Sequence, residues 1–447
     1  MNKGLFADLV WDASAALALV ALALLVRNIL AIPAHVPLDP NEGWNAAHAL
    51  AAMAGHGLYP PPDALMVNNY PPLSFYLIGA IAGHGPDAVI AGRWISLAAY
   101  LATVAGIAAV LRRMDCHARA IVPGAMFFAA LLLVTSDYVG MDDPQLLGHA
   151  IQMGAMLLLL RERIFVSALL FALALFIKHN LLAMPLAAGL WLMAQDRHTG
   201  TVFFLWLLVF ALSGLVLFQF EFGTSLIGQL ASPRLYSLNN LGTAAAHLWW
   251  AVLPGLAMTG FWPDRHSMFC WIYASMALIL GLVFGAGDGV DANALFDLGI
   301  ALSLALGLVV ARGRWPILAA ASAVPLLICL AVTFRDNNFF FTRDFARSSA
   351  RDIAFLESRP GPALCDQLSL CLWAGKGADI DVFNVGEAIK AKDRDPVPLT
   401  GMIAHHHFGS MQLIDLDGLG PDVRRAIEKN YRIDHSDDNG AFLVPRL

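Results

Sequence analysis

Charge is scarce in this sequence: Asp, Glu, Lys and Arg supply 14% of its 447 residues, against about 25% in ordinary soluble domains. With 58% hydrophobic residues and a mean hydropathy of +0.63, most of the chain belongs in lipid. Basic residues are absent from whole stretches. Residues 34–92, 135–146 and 285–310 hold no Lys or Arg, and 221–242 holds only Arg234. No basic, aromatic-rich stripe is present, which excludes nucleic acid as a partner. The net charge of -6 points to no particular partner. Repeats and low-complexity segments are also missing.

What charge there is gathers at the end. Of 28 basic and 34 acidic residues, 31 follow Thr333. The chain therefore divides into a membrane-embedded part, 1–334, and a tail of soluble composition, 335–447. A bilayer core needs about 20 apolar residues per helix. That length places spans near 9–33, 88–111, 120–137, 145–160, 164–178, 181–194, 201–220, 243–261, 267–284, 294–311 and 315–334. The fold class expected is a polytopic α-helical membrane protein with about 11 transmembrane helices and a small C-terminal α/β domain. The first apolar run reads as a retained span, with a cleaved leader as the alternative. Tyr70–Ile78 is too short to span and reads as interfacial or re-entrant.

Orientation follows from the arginines, because short cytoplasmic loops retain Lys and Arg. Arg112, Arg113, Arg119, Arg161, Arg163, Arg197, Arg265, Arg312 and Arg314 fall in one set of loops. The bare loops then face outward, and an odd number of spans puts the tail outside as well. Cys365 and Cys371, close together in that tail, would meet an oxidising compartment and are expected to pair. Two small buried hydrophobes are the alternative.

The first outer loop, 34–87, is long for a connection and is expected to carry interfacial helices and function. It contains Asp39-Pro40-Asn41-Glu42, then His48, and returns through Asn69-Tyr70-Pro71-Pro72. Asp-Pro-Asn-Glu is a capping box with proline at the first helical position, so Asp39 has a structural use. Capping by one carboxylate oxygen leaves the other available. The second outer loop holds Asp142-Asp143-Pro144, where Asp143 resembles a cap and Asp142 has no such duty. Adjacent carboxylates repel unless cations, hydrogen bonds or protonation compensate. Arg27, Arg93, Lys178, His179 and Arg234 lie at the same depth, and together they outline a polar cavity able to hold an anionic headgroup. Each alone could simply snorkel. His405-His406-His407 lacks spaced partners and reads as an exposed run, so no metal is assigned.

These motifs, with Ala91-Gly92-Arg93 entering the second span, resemble the GT-C glycosyltransferases, nearest to bacterial relatives of protein mannosyltransferases and of the aminoarabinose transferase. The resemblance implies an inverting enzyme that moves a sugar from a polyprenyl-phosphate donor to a glycan, lipid or protein acceptor at the outer face of a bacterial inner membrane. The family's first-loop carboxylate maps onto Asp39 or Glu42 and its second acidic position onto Asp142 or Asp143. Here Asp-Pro-Asn-Glu replaces the common Asp-Glu doublet, which leaves the base open between the two. Arg27, His48, Tyr70, Arg93, Lys178, His179 and Arg234 are the substrate-binding candidates. No cofactor is required by the motifs, and a divalent cation is compatible with them. A transporter or lipid-linked sugar flippase is the rival reading. It would place charge near the bilayer midplane and often show two related halves. A non-catalytic assembly or sensor protein is a third.

The tail's short apolar runs, Ala363–Cys365, Ile380–Phe383, Met411–Ile414 and Ala441–Val444, alternate with helical segments such as Val423–Lys429. Its expected role is to cover the cavity, to engage the acceptor or merely to stabilise.

Overall fold

A computed structural model describes residues 3–55, 57–85, 87–231, 234–260, 264–335 and 343–446. All eleven apolar stretches are helical over most of their length. Among the described residues, seven helices are long and apolar enough to cross a membrane, including Ala88–Arg113, Ala118–Thr135 and Arg197–Phe222. Gln145–Leu159, Ile164–Ile177, Ala183–Gln195 and Pro316–Leu330 are apolar but shorter. The end of the eighth stretch at residue 261, and the start of the tail at 336–342, lie outside the described residues.

Helix exposure follows composition. Phe296–Ala311, apolar apart from Asp297 and Ser303, is buried from Phe296 to Val309 and packed against Ala118–Thr135 and Arg265–Gly285. Arg197–Phe222 is also apolar all round, yet only Gly200, Phe203 and Leu207 are buried. Leu205, Leu208, Leu212, Val216, Leu217 and Phe220 face outward. A continuous apolar surface of this kind needs lipid as its solvent, and the chain is an integral membrane protein.

The loop between the first two long helices carries two helices of its own, Pro40–Ala54 and Leu73–Ala82. The tail holds a four-stranded sheet: β1 (Ala363–Cys365), β2 (Ser410–Leu413), β3 (Tyr431–Asp437) and β4 (Gly440–Pro445), in the order β1-β2-β4-β3. β1 and β2 run parallel; the other two pairings are antiparallel. Three of the apolar runs supply β1, β2 and β4. Ile380–Phe383 does not: Asp381 accepts the Asn384 N–H at 2.9 Å and caps a helix, Val382–Lys390. β3 has no apolar alternation because it is an edge strand with one neighbour and largely exposed side chains. Cys365, at the end of β1, is disulfide-bonded to Cys371 in the helix Leu368–Trp373.

The tail and the first loop share a core. Val67 packs with Leu364, Val385, Leu399 and Leu413, the Asp381 N–H donates to Leu65 O at 2.8 Å, and Arg394 donates to the carbonyls of Ala64 and Pro62. The helix Leu368–Trp373 lies on Pro40–Ala54 at Gly43, where a Cβ would overlap the backbone of Leu368 and Ser369. Gly43→Ala, ordinarily a helix-stabilising change, is therefore expected to lower stability by about 1–3 kcal/mol. Thermal unfolding of the purified protein reads this as a drop in melting temperature.

Candidate functional site

The most deeply embedded of the predicted site residues are Glu42 and Arg93, both wholly buried. Arg93 Nε donates to Glu42 Oε1 and Nη2 to Oε2, each at 2.7 Å, a bidentate pair. The guanidinium also donates to the carbonyls of Ile32 (3.2 Å), Ala34 (2.8 Å) and Val36 (2.6 Å). Glu42 in turn accepts the N–H of Leu38 at 3.0 Å and of Asp142 at 3.2 Å. Every strong position on this carboxylate is occupied. Glu42 and Arg93 are a buried strut joining the first loop, the second long helix and the second loop.

Asp39 is placed differently. Its Oδ1 accepts the Asn41 N–H at 2.8 Å, as the capping pattern predicts, and among the described residues Oδ2 has no hydrogen-bond partner. Burial, reinforced by the charges of Glu42, Asp291 and Asp143 and opposed by the Asn41 hydrogen bond, pushes its carboxyl up to about 6. That value suits an acid that exchanges protons near neutrality.

The Asp142-Asp143 pair resolves its repulsion by division of state. Asp143 accepts from Lys178 Nζ at 3.0 and 3.1 Å and from the Gln145 N–H at 2.7 Å. Asp142 is buried with neither oxygen hydrogen-bonded among the described residues. Burial first, then Glu42 and Asp143, raise its carboxyl well above the carboxylate range, so it is a neutral acid. It fits only because position 92 is glycine: a Cβ there would overlap the Asp142 carboxyl.

Lys178, His179, Arg234 and Tyr70 line one cavity of about 350 Å³, together with Trp44, Tyr138 and Asp291. Lys178 Nζ lies 4.6 Å from the centre of the Tyr70 ring. Burial, then the positive charges of Lys178 and Arg234, lower His179 to about 4, leaving a neutral imidazole. Asn41, bonded to Asp39, is also a lining residue, and Asp39 lies close enough to Tyr138 and Asp291 to interact with both electrostatically. Asp39, Glu42, Asp142 and Asp143 are not lining residues, and of the substrate-binding candidates Arg27, His48 and Arg93 also fall outside the lining. His48 bonds Val67 O at 3.0 Å and meets Trp44 edge-on, while Arg27 is half-buried near Asp137.

Sequence reasoning expected the tail to cover the cavity but missed Asp291 and the particular tail residues that reach it. Trp44 Nε1 donates to Asp381 Oδ2 at 2.9 Å, Asn384 Nδ2 donates to the same oxygen at 2.6 Å, and Phe383 and Asn384 line the cavity. No short-range signal links positions 337 residues apart. His405, His406 and His407 are exposed, as expected. Among the described residues, one group approaches metal-binding spacing, Asp352, His435 and Asp437 in the tail. Its carboxylates are already bonded to Asn439 and Ser348.

This helical bundle with its tail shares its fold with solved structures of a membrane protein. ArnT from Cupriavidus metallidurans in the apo state is similar over 97% of this chain and 98% of its own, with 12% identity and a TM-score of 0.60. ArnT from the same organism bound to undecaprenyl phosphate is similar over 96% and 98%, with 13% identity and a TM-score of 0.59. No protein-family model and no curated protein sequence matches the chain.

Breaking the strut should cost stability. Glu42→Gln leaves Arg93 buried and short of its counter-charge, at about 3–5 kcal/mol, read as a large fall in melting temperature. Asp39→Asn keeps a capping side chain and should melt close to wild type.

Proposed function

We propose that the protein is an inverting glycosyltransferase that takes a sugar from a polyprenyl-phosphate donor and passes it to a hydroxyl acceptor at the outer face of a bacterial inner membrane. The observation that carries this reading is a carboxylate with an open oxygen, Asp39, beside a cavity lined by Lys178 and Arg234. The fold shared with ArnT, one structure of which is bound to undecaprenyl phosphate, supports it. In this reading all eleven apolar stretches cross the bilayer, residues 1–334 form the catalytic unit, and the tail, 335–447, closes the cavity from outside.

Asp39 is the general base. It takes the proton of the acceptor hydroxyl as that oxygen bonds to the anomeric carbon. The bond from that carbon to the carrier phosphate breaks, and its electron pair leaves with the phosphate. Lys178 and Arg234 meet the charge that develops there. Neutral His179 offers a hydrogen bond without adding charge. Asp143 holds Lys178 in place, and Glu42 positions the Asp39 turn without taking part in proton transfer. One displacement without a covalent intermediate inverts the anomeric centre.

The test is consumption of radiolabelled polyprenyl-phosphate sugars by membranes bearing the protein, with product separated from donor. Asp39→Asn should lower turnover by about 10²- to 10⁴-fold; near-normal transfer by that variant removes Asp39 from the role. Uptake of label without consumption would favour a transporter. Because the base works deprotonated, kcat/KM should be level above the Asp39 value of about 6. Below it, the rate should fall by about tenfold per pH unit. A rate that rises on acidification would require Asp39 to act as an acid.

A further inference from the structure

A second cleft, of about 130 Å³, adjoins the cationic cavity and is lined by Asn240, Thr243, His247, Asp288 and Asp291. Among the described residues its lining contains no Lys or Arg. The two spaces share one wall, residues 289–291. That wall is braced against the segment 234–237. The Asp288 N–H donates to Leu235 O at 2.7 Å, the Ser237 N–H donates to Ala286 O at 2.9 Å, and Arg234 Nη1 donates to Asp288 O at 3.0 Å. Arg234 lines the cationic cavity, bonds the backbone of the cleft residue Asp288, and is absent from the lining of the cleft. Asp291 borders both spaces. Its Oδ1 accepts the Ala292 N–H at 2.6 Å, and its side chain is exposed.

Resting on the transferase reading, we infer that this cleft is the acceptor subsite and that it takes an uncharged, hydroxyl-rich sugar group while rejecting phosphorylated ones. An amide, a hydroxyl, an imidazole and two carboxylates together supply the donors and acceptors that sugar hydroxyls need. An acceptor phosphate would instead face Asp288 and Asp291 with no lining cation to compensate, a repulsive element that discriminates by charge. The two substrates are thus sorted by sign. The donor's phosphate goes to Lys178 and Arg234, and the acceptor's hydroxyls go to the acidic side, with Asp39 near the shared Asp291. The acceptor hydroxyl loses its proton to Asp39 and its oxygen replaces the carrier phosphate on the anomeric carbon, so atoms and charge balance.

The test uses the full chain in nanodiscs, the polyprenyl-phosphate sugar that the membrane assay identifies as consumed, and two alkyl glucosides, one plain and one 6-phosphorylated. The plain glucoside should be glycosylated at least about tenfold faster. Asn240→Ala and Thr243→Ala should each raise its KM by about 5- to 10-fold, with the donor KM unchanged. Asp291→Lys should shift preference toward the phosphorylated glucoside. Equal or faster use of the phosphorylated glucoside by wild type overturns the inference. So does donor consumption with transfer to neither glucoside, or a KM untouched in both alanine variants. Absence of donor consumption under every condition overturns the transferase reading beneath it, and the two failures are told apart by the donor signal alone.

Discussion

The arrangement depends on one buried ion pair. Arg93 and Glu42 are wholly desolvated, which is costly unless every remaining donor and lone pair is met. Here they are met by the backbone of the segments that need positioning: the carbonyls of Ile32, Ala34 and Val36 leaving the first helix, the Leu38 N–H before the Asp39 turn, and the Asp142 N–H in the second loop. The pair is thus a clamp on backbone geometry more than a source of net stability. It sets where Asp39 and the Asp142-Asp143 loop stand relative to each other.

That clamp separates the four acids into unlike states. Glu42 is paired with Arg93 and fully used, Asp143 is paired with Lys178, and Asp142 is held neutral by burial beside both. Only Asp39 combines partial exposure with a carboxyl near 6 and an unbonded oxygen among the described residues. Their shared charge in the sequence concealed this, because ionisation state is set by neighbours brought together from 35 to 100 residues away.

Legibility tracked the range of the governing force. The apolar stretches could be read because a bilayer imposes a local length requirement, and the Asp39 cap because Asp-Pro-Asn-Glu acts within four residues. Cys365 and Cys371, six apart, were also within reach, and their bond is present. Arg93, read as a headgroup ligand, instead bonds Glu42, 51 residues earlier. His48 likewise proves to be a neutral packing residue: burial lowers it to about 3, and its ring bonds a backbone carbonyl. Ile380–Phe383 looked strand-like by hydrophobicity, but Asp381 starts a helix there, and its side chain bonds Trp44 across the molecule.

The Trp44–Asp381 bond bears on why the tail is attached at all. Asp381 Oδ2 receives Trp44 Nε1 and Asn384 Nδ2, while Oδ1 caps the helix that presents Phe383 and Asn384 to the cavity. Trp44 lies on the same helix as the Asp39 cap, and Gly43 beside it carries the docked helix Leu368–Trp373, itself tied to β1 by the disulfide. Tail and first loop therefore cannot shift independently without exposing a buried indole N–H and a buried carboxylate. A cavity wall made from two distant parts of the chain keeps its shape because those parts share their buried polar groups. This coupling, more than coverage by bulk, is what the tail contributes to the site.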